Sequence, residues 1–376
     1  MRVDLRHLLF RTSPIVIAFV IGARALGAQY PLVPSPVLDP GILRGEVRLG
    51  GYVSVPDLQP GRGDVRGRQS AAILRRGVRL GDYVSIRETI RRDSSTFNVN
   101  QARITVTVAP SDFATVKLQG NLAALGRSTG DTIPGFVVTD AYVQLAPPNE
   151  RTIGGMRPTV ILGQFKAPFS LEYLTGFSLL QTAGRSQVVE QLAVRRDIGV
   201  MVHLAFRNLA TLAGTIVNGE GPNSLRNANG KQLAAGRLTV MPAPGLAVAG
   251  KWAGEGADHR WGYDVRWMMN GLVLEGERIE RRAPISADIA QRAAGRYLMA
   301  SYRIGRHLQP VVKWEQMRDT RTEAGVTSEA RLTWTTYGLN IVSGAEAIRF
   351  QANWIVKRER PTDSANELVG QLIVIF

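Results

Sequence analysis

Cysteine is absent from the chain, and only four of its 376 residues are histidine. Without thiols, neither disulfides nor thiolate metal sites can hold the fold, so a large hydrogen-bonded core must do so. His7 lies in a leader-like segment, and His203, His259 and His307 are scattered over separate segments. No Gly-x-Ser-x-Gly, His-Glu-x-x-His or phosphate-loop string accompanies them. A nucleophile with its base and orienting group is therefore not in view, and neither enzymatic activity nor a cofactor or metal is expected. A long hydrophobic run is lacking too. The apolar stretch Pro14 to Gly22 is shorter than the about 20 residues that a membrane helix needs. Helical periodicity is nearly absent from the rest of the chain.

The apolar stretch follows Arg2, Arg6 and Arg11 and is followed by small residues. That is the charged, apolar and cleavable order of a secretory signal peptide. We assign it residues 1–28, cut after Ala28 or, with Ala23-Arg24-Ala25 as the small-x-small site, after Ala25. The formal charge of +15 would lose four arginines and one aspartate with the leader, leaving a strongly basic exported protein. Such a balance suits an anionic lipid surface or an anionic small solute, and export makes nucleic acid the least suitable partner.

Residues 29–75 are rich in Pro and Gly and read as an N-terminal extension with little fixed structure. They contain Leu43-Arg44-Gly45 through Tyr52-Val53-Ser54, which recurs imperfectly as Leu74-Arg75-Arg76-Gly77 through Tyr83-Val84-Ser85. Two copies do not make a solenoid, and a duplicated strand accounts for them.

Residues 76–376 change character, into segments of about ten residues that alternate apolar and polar side chains between Gly, Pro, Asn and Asp. Val116, Leu118 and Leu122 share one face of such a segment, while Lys117, Gln119 and Asn121 share the other. Strands are predicted at 77–91, 98–109, 113–123, 135–146, 158–167, 197–206, 209–218, 232–241, 245–255, 259–269, 271–281, 294–305, 308–318, 330–342, 346–358 and 366–376. Sixteen is an even number, suited to an all-β transmembrane antiparallel barrel with a water-filled lumen. A soluble sandwich or propeller also alternates. However, these strands have the length of tilted membrane strands, and their polar faces carry charges. Trp252, Trp261, Trp267, Trp314, Trp334, Trp354 and Phe376 fit aromatic girdles. The last strand, with Leu368, Gly370, Leu372, Val374 and a terminal Phe376, resembles the assembly signal of bacterial outer-membrane proteins.

Turning the polar parity of each strand inward places Arg103, Lys117, Lys166, Arg237, Lys251, Arg266, Arg303, Lys313, Arg331, Arg349 and Lys357 on the lumen wall. Asp140, Asp197, Asp264, Glu275, Glu277 and Glu315 oppose them. An excess of cations in a low-dielectric tube favours anions; cross-strand ion pairs that only stiffen the barrel would use the same residues. The longest gap between strands, Pro168 to Arg196, mixes Tyr173, Leu174, Phe177, Leu179 and Leu180 with Arg185, Arg195 and Arg196. A loop of this length is usually functional or disordered. It could fold into the lumen and narrow it, or cap the outer rim.

Several strings occur in an order that resembles the phosphate-selective porin O/P family. They are Asp112-Phe113-Ala114-Thr115-Val116-Lys117-Leu118-Gln119, Asp140-Ala141-Tyr142-Val143, Gly163-Gln164-Phe165-Lys166-Ala167-Pro168-Phe169, Arg196-Asp197-Ile198-Gly199-Val200, Asn218-Gly219-Glu220-Gly221 and Gly236-Arg237-Leu238. The resemblance implies a bacterial outer-membrane barrel of sixteen strands, commonly a homotrimer, with an inward third loop. It also implies passive, anion-favouring diffusion of small solutes such as phosphate or polyphosphate, with Lys166, Arg185, Arg195 and Arg196 near the constriction. The alternative is a barrel with a blocked lumen and a structural or surface-binding role in the outer-membrane lipid.

Overall fold

The computed structural model describes residues 72–75 and 78–376, except 124–136, 149–151, 153–154, 208, 287–288, 324, 344–345 and 362–363. The leader, the first repeat copy and most of the 29–75 extension lie outside these residues.

Sixteen antiparallel strands close on themselves. They are β2 (Val78–Arg91), β3 (Ser94–Ser111), β4 (Ala114–Asn121), β5 (Val137–Leu145), β6 (Met156–Lys166), β7 (Arg196–Phe206), β8 (Ala210–Val217) and β9 (Leu233–Ala243), followed by β10 (Leu246–Glu255), β11 (Asp258–Met269), β12 (Leu272–Ser286), β13 (Ile289–Tyr302), β14 (Leu308–Glu323), β15 (Val326–Val342), β16 (Ile348–Arg360) and β17 (Glu367–Ile375). Each pairs with the next in sequence, and β17 returns to β2 with Leu368 opposite Ile90 and Ile375 opposite Tyr83. One short strand precedes the ring: β1 (Ala72–Arg75) pairs with the start of β2. The end of the extension therefore has structure where the Pro/Gly content predicts little.

Alternation explains why the ring closes this way round. Leu118, Val143, Leu162, Val200, Leu212 and Leu238 are exposed on the outside, while Gln119, Asp140, Gln144 and Lys166 are buried inside. An outer surface of this kind would be costly in water, at about 25 cal/mol for each Å² of apolar area. In hydrocarbon it costs nothing, and a closed ring leaves no strand edge with unpaired backbone groups. Among the described residues no helix is long and apolar enough to cross a membrane; the strands make the crossing.

The two ends of the barrel differ. At one end most connections are short, as at Asn270-Gly271 between β11 and β12, where both residues have positive φ (48° and 83°), the requirement of a two-residue hairpin turn. The chain terminus lies at this end. Phe376 and Asp82 exchange backbone hydrogen bonds of 3.0 Å in both directions, and a Cβ on Gly81 would stand 2.8 Å from the Phe376 carbonyl oxygen. Only glycine leaves room for the closing strand there. The other end carries the long connections, including residues 167–195 and 218–232. Short turns on the periplasmic side and longer loops outside are the rule for such barrels.

Candidate functional site

The long loop folds into the lumen. Its sequence forms α1 (Leu171–Leu174), a 3-10 turn (Phe177–Leu179) and α2 (Gln187–Leu192). Serine caps both helices: Ser170 Oγ accepts from the Tyr173 amide at 3.2 Å and Ser186 Oγ from the Val188 amide at 3.1 Å. Each cap is in turn held by a carboxylate of the far wall. Ser170 Oγ donates to Glu277 at 3.0 Å, and Ser186 Oγ donates to Glu315 at 2.6 Å. Glu172 ties the two helices together, accepting from the Ser186 amide at 2.7 Å and facing the Lys313 ammonium at 3.3 Å. Burial lifts the Glu172 carboxyl to about 7, against the pull of Lys313.

Apolar packing fixes the loop further. Phe169, Tyr173, Val188, Val189 and Leu192 join one buried cluster with Ile161 and Met201 of the near wall and Ile279, Tyr297 and Met317 of the far wall. Phe177 and Leu180 pack on Tyr83 and Ile373, with the Tyr83 and Phe177 rings stacked at 6.2 Å. The loop crosses the lumen, in agreement with the first of the two dispositions its composition allows.

Most of the inward cations are engaged by this structure. Arg237 makes a bidentate pair with Asp264 (2.7 and 2.6 Å) and also donates to the Phe169 carbonyl at 2.7 Å. Lys251 bridges Asp264, at 3.0 Å, and Glu277. Arg266 pairs with Glu275 at 2.5 Å, Lys313 with Glu172, and Lys357 with Glu367 at 2.8 Å. Arg349 donates to the loop carbonyls of Ser178 and Leu180. Over β9 to β16, then, the wall charges are cross-strand pairs and loop anchors.

The β2–β7 side is different. A cavity of about 100 Å³ remains between the loop and this wall, lined by Asp82, Tyr83, Arg103, Lys117, Gln119, Asp140, Tyr142, Lys166 and Arg196 together with Gly176, Phe177 and Ser178 of the loop. Arg196 and Lys117 share one carboxylate, Asp140, at 2.6 and 3.1 Å. Arg103 donates to Gln101 at 2.9 Å and Gln119 at 3.2 Å, and Lys166 donates to the Leu174 and Thr175 carbonyls. Three cations surround the Tyr173 ring: Lys166 at 5.7 Å, Arg185 at 5.1 Å and Arg196 at 6.0 Å from its centre. Four basic side chains and two carboxylates thus line the cavity.

Four expected positions need correction. Arg195 is exposed and pairs with Glu190 rather than facing the passage. Arg303 lies past the end of β13 at the tight-turn end, paired with Glu346. Arg331 points outward beside Glu329, because Leu332 takes the inward parity. Trp334 is the converse: it lies inside against the buried cluster, under Lys357 and donating to Glu359 at 2.7 Å, not in a girdle. Asp82, Tyr83, Gln119 and Tyr142 of the cavity were not among the sequence candidates. The available signal was the chain terminus, since closure of β17 on β2 brings β2 beside the loop.

No family profile and no curated protein matches the chain. Among solved structures it is similar to a loop L8 deletion mutant of OmpT, an outer membrane protein of Vibrio cholerae (TM-score 0.60, 10% identity, 80% of this chain and 99% of that one). OmpF of Salmonella typhi in complex with daunomycin gives a TM-score of 0.58 at 11% identity over 80% and 97% of the two chains. The anion-selective porin from Comamonas acidovorans gives 0.51 at 13% identity over 80% and 99%. At such identities the likeness is one of fold. Together with the apolar outer surface, it makes the chain a sixteen-stranded outer-membrane β-barrel of bacterial type.

Proposed function

We propose that the barrel is a porin through which small inorganic anions diffuse passively, the narrow part of the path being the gap between the inward loop and the β2–β7 wall. The observation that carries this is the cavity in that gap, whose lining sets four basic side chains, Arg103, Lys117, Lys166 and Arg196, beside two carboxylates, Asp82 and Asp140. A water-filled gap walled by low-dielectric protein and one excess sign concentrates counter-ions of the other sign. The cations of β9 to β16 are mostly matched by carboxylates of their own, so selectivity would rest on the cavity cluster, where Arg196 and Lys117 share a single carboxylate. Phosphate is the solute suggested by the resemblance to the phosphate-selective porin O/P family, and the planar guanidinium fork suits its oxygens. The resemblance is also what supports a homotrimer.

A second reading, a barrel whose lumen is blocked and whose role is structural or surface-binding, is favoured by the apolar cluster that joins loop to far wall. Planar-bilayer recording of the Arg103→Gln, Lys166→Gln and Arg196→Gln variants in chloride, with phosphate added, separates the two. A porin of the proposed kind loses anion preference and phosphate block together. A blocked barrel passes no steady current before or after the substitutions.

A further inference from the structure

Outside the lumen, the register of β12 to β16 sets arginines beside one another where cross-strand pairing disfavours like charges. Towards the loop end, Arg278 lies opposite Arg296 and Arg282 opposite Arg292. Two strands further on, Arg318 lies opposite Arg331, which lies opposite Arg360. All share the outward parity of their strands, as does Arg358 opposite Thr333. Across this face, among the described residues, Glu280 and Glu329 are the carboxylates that offer compensation. Arg278 pairs with Glu280 at 2.5 Å, and Arg318 (3.8 Å) and Arg331 share Glu329. No carboxylate among the described residues pairs with Arg282, Arg292, Arg358 or Arg360.

The next row towards the membrane centre is apolar on the same face except for Thr335. Gly276, Leu298, Trp314, Thr335 and Val356 follow one another across it, and Arg296 sits over the Trp314 ring at 5.3 Å. Below the arginines is thus the hydrocarbon band with an interfacial aromatic, and above them are the outer ends of long hairpins. Like charges placed directly opposite on adjacent strands destabilise a sheet, and among the described residues the carboxylates on this face are fewer than its outward arginines.

From this juxtaposition we infer that the β12–β16 face binds phosphorylated lipid headgroups of the outer leaflet, with guanidinium pairs clamping phosphates and acyl chains lying on the apolar row. The occupant must be a lipid rather than a free anion, because the rows follow the membrane interface and the apolar row adjoins them. Basic clusters at a membrane interface recognise anionic headgroups in this way. These arginines face away from the lumen, so the inference stands apart from the conduction reading and its failure leaves that reading intact.

The test uses the full mature chain in phosphatidylcholine vesicles containing bisphosphorylated lipid A, with retention of that lipid after mild detergent extraction read by native mass spectrometry. The wild type should retain lipid A, and the Arg296→Gln/Arg318→Gln/Arg331→Gln variant should retain it roughly tenfold less or weaker still. The corresponding triple lysine variant, which keeps the charge, should recover most of the retention. Heat-modified gel mobility, which reports barrel closure, should be the same for all three proteins. Equal retention by wild type and glutamine variant would overturn the inference. So would equal retention of dephosphorylated lipid A, or displacement of the lipid by inorganic phosphate at matched phosphate concentration. A wild-type oligomer in lipid-A-free detergent that the glutamine variant disperses would also overturn it, by showing that the face meets a second copy of the chain.

Discussion

Glu172 of the inward loop faces Lys313 of β14 at 3.3 Å, and the same carboxylate accepts from the Ser186 amide at 2.7 Å. One buried acid therefore joins two loop helices to the wall opposite the loop's origin. Burial raises its carboxyl to about 7, above the usual glutamate range near 4.5, so the folded state holds this proton more tightly than the unfolded chain does. The Glu172 contribution to stability is fully present below about pH 4.5 and is lost as pH rises through about 7. Thermal unfolding followed by heat-modified mobility should show a slope of that sign between these values, and Glu172→Gln should flatten it.

Lys251 has no accessible side-chain surface and bridges Asp264 and Glu277, which are also held by Arg237 and Ser170. Removing one member leaves buried charge without a partner, at a cost of about 3–5 kcal/mol. Lys251→Met should lower the unfolding temperature in detergent markedly. Arg195→Ala, which removes only an exposed pair with Glu190, should change stability by less than about 1 kcal/mol and leave ion selectivity as it is.

At the seam, Gly81→Val would drive a side chain against the Phe376 carbonyl, where even a Cβ comes to 2.8 Å. Insertion into vesicles, read by protease protection, should fall sharply for this variant, and also for deletion of Phe376. A valine in place of Gly370, whose Cβ would meet nothing within 4 Å, should insert normally.

Deleting residues 173–190 should raise conductance, because the loop crosses the lumen to the far wall. Unchanged conductance would mean that the path does not pass the loop.

The strands were legible because the period of two is imposed wherever one face meets lipid. β4 was expected at 113–123 and spans Ala114–Asn121; β7 was expected at 197–206 and spans Arg196–Phe206. The rule lapses beyond the hydrocarbon. β14 continues through Asp319-Thr320-Arg321-Thr322-Glu323, where both faces are polar and no alternation marks the strand. β15 hid its parity, since Trp334 and Tyr337 put an aromatic on each face, and pairing with β14 and β16 decides which turns inward. Inward cations such as Lys117, Lys166, Arg237 and Lys313 were found by parity alone. Their partners were not, because Lys313 and Glu172 are 141 residues apart, and local spacing carries no trace of a contact made across a lumen.

We propose that the basic cluster of Arg103, Lys117, Lys166 and Arg196 governs what passes the constriction. Reversal potential across a planar bilayer, with single wild-type channels in a potassium chloride gradient, tests it most directly. Chloride should permeate more readily than potassium at low salt. The preference should shrink as concentration approaches 1 M, where the screening length falls to about 3 Å. A reversal potential of the sign set by potassium at low salt would show that this cluster does not select for anions.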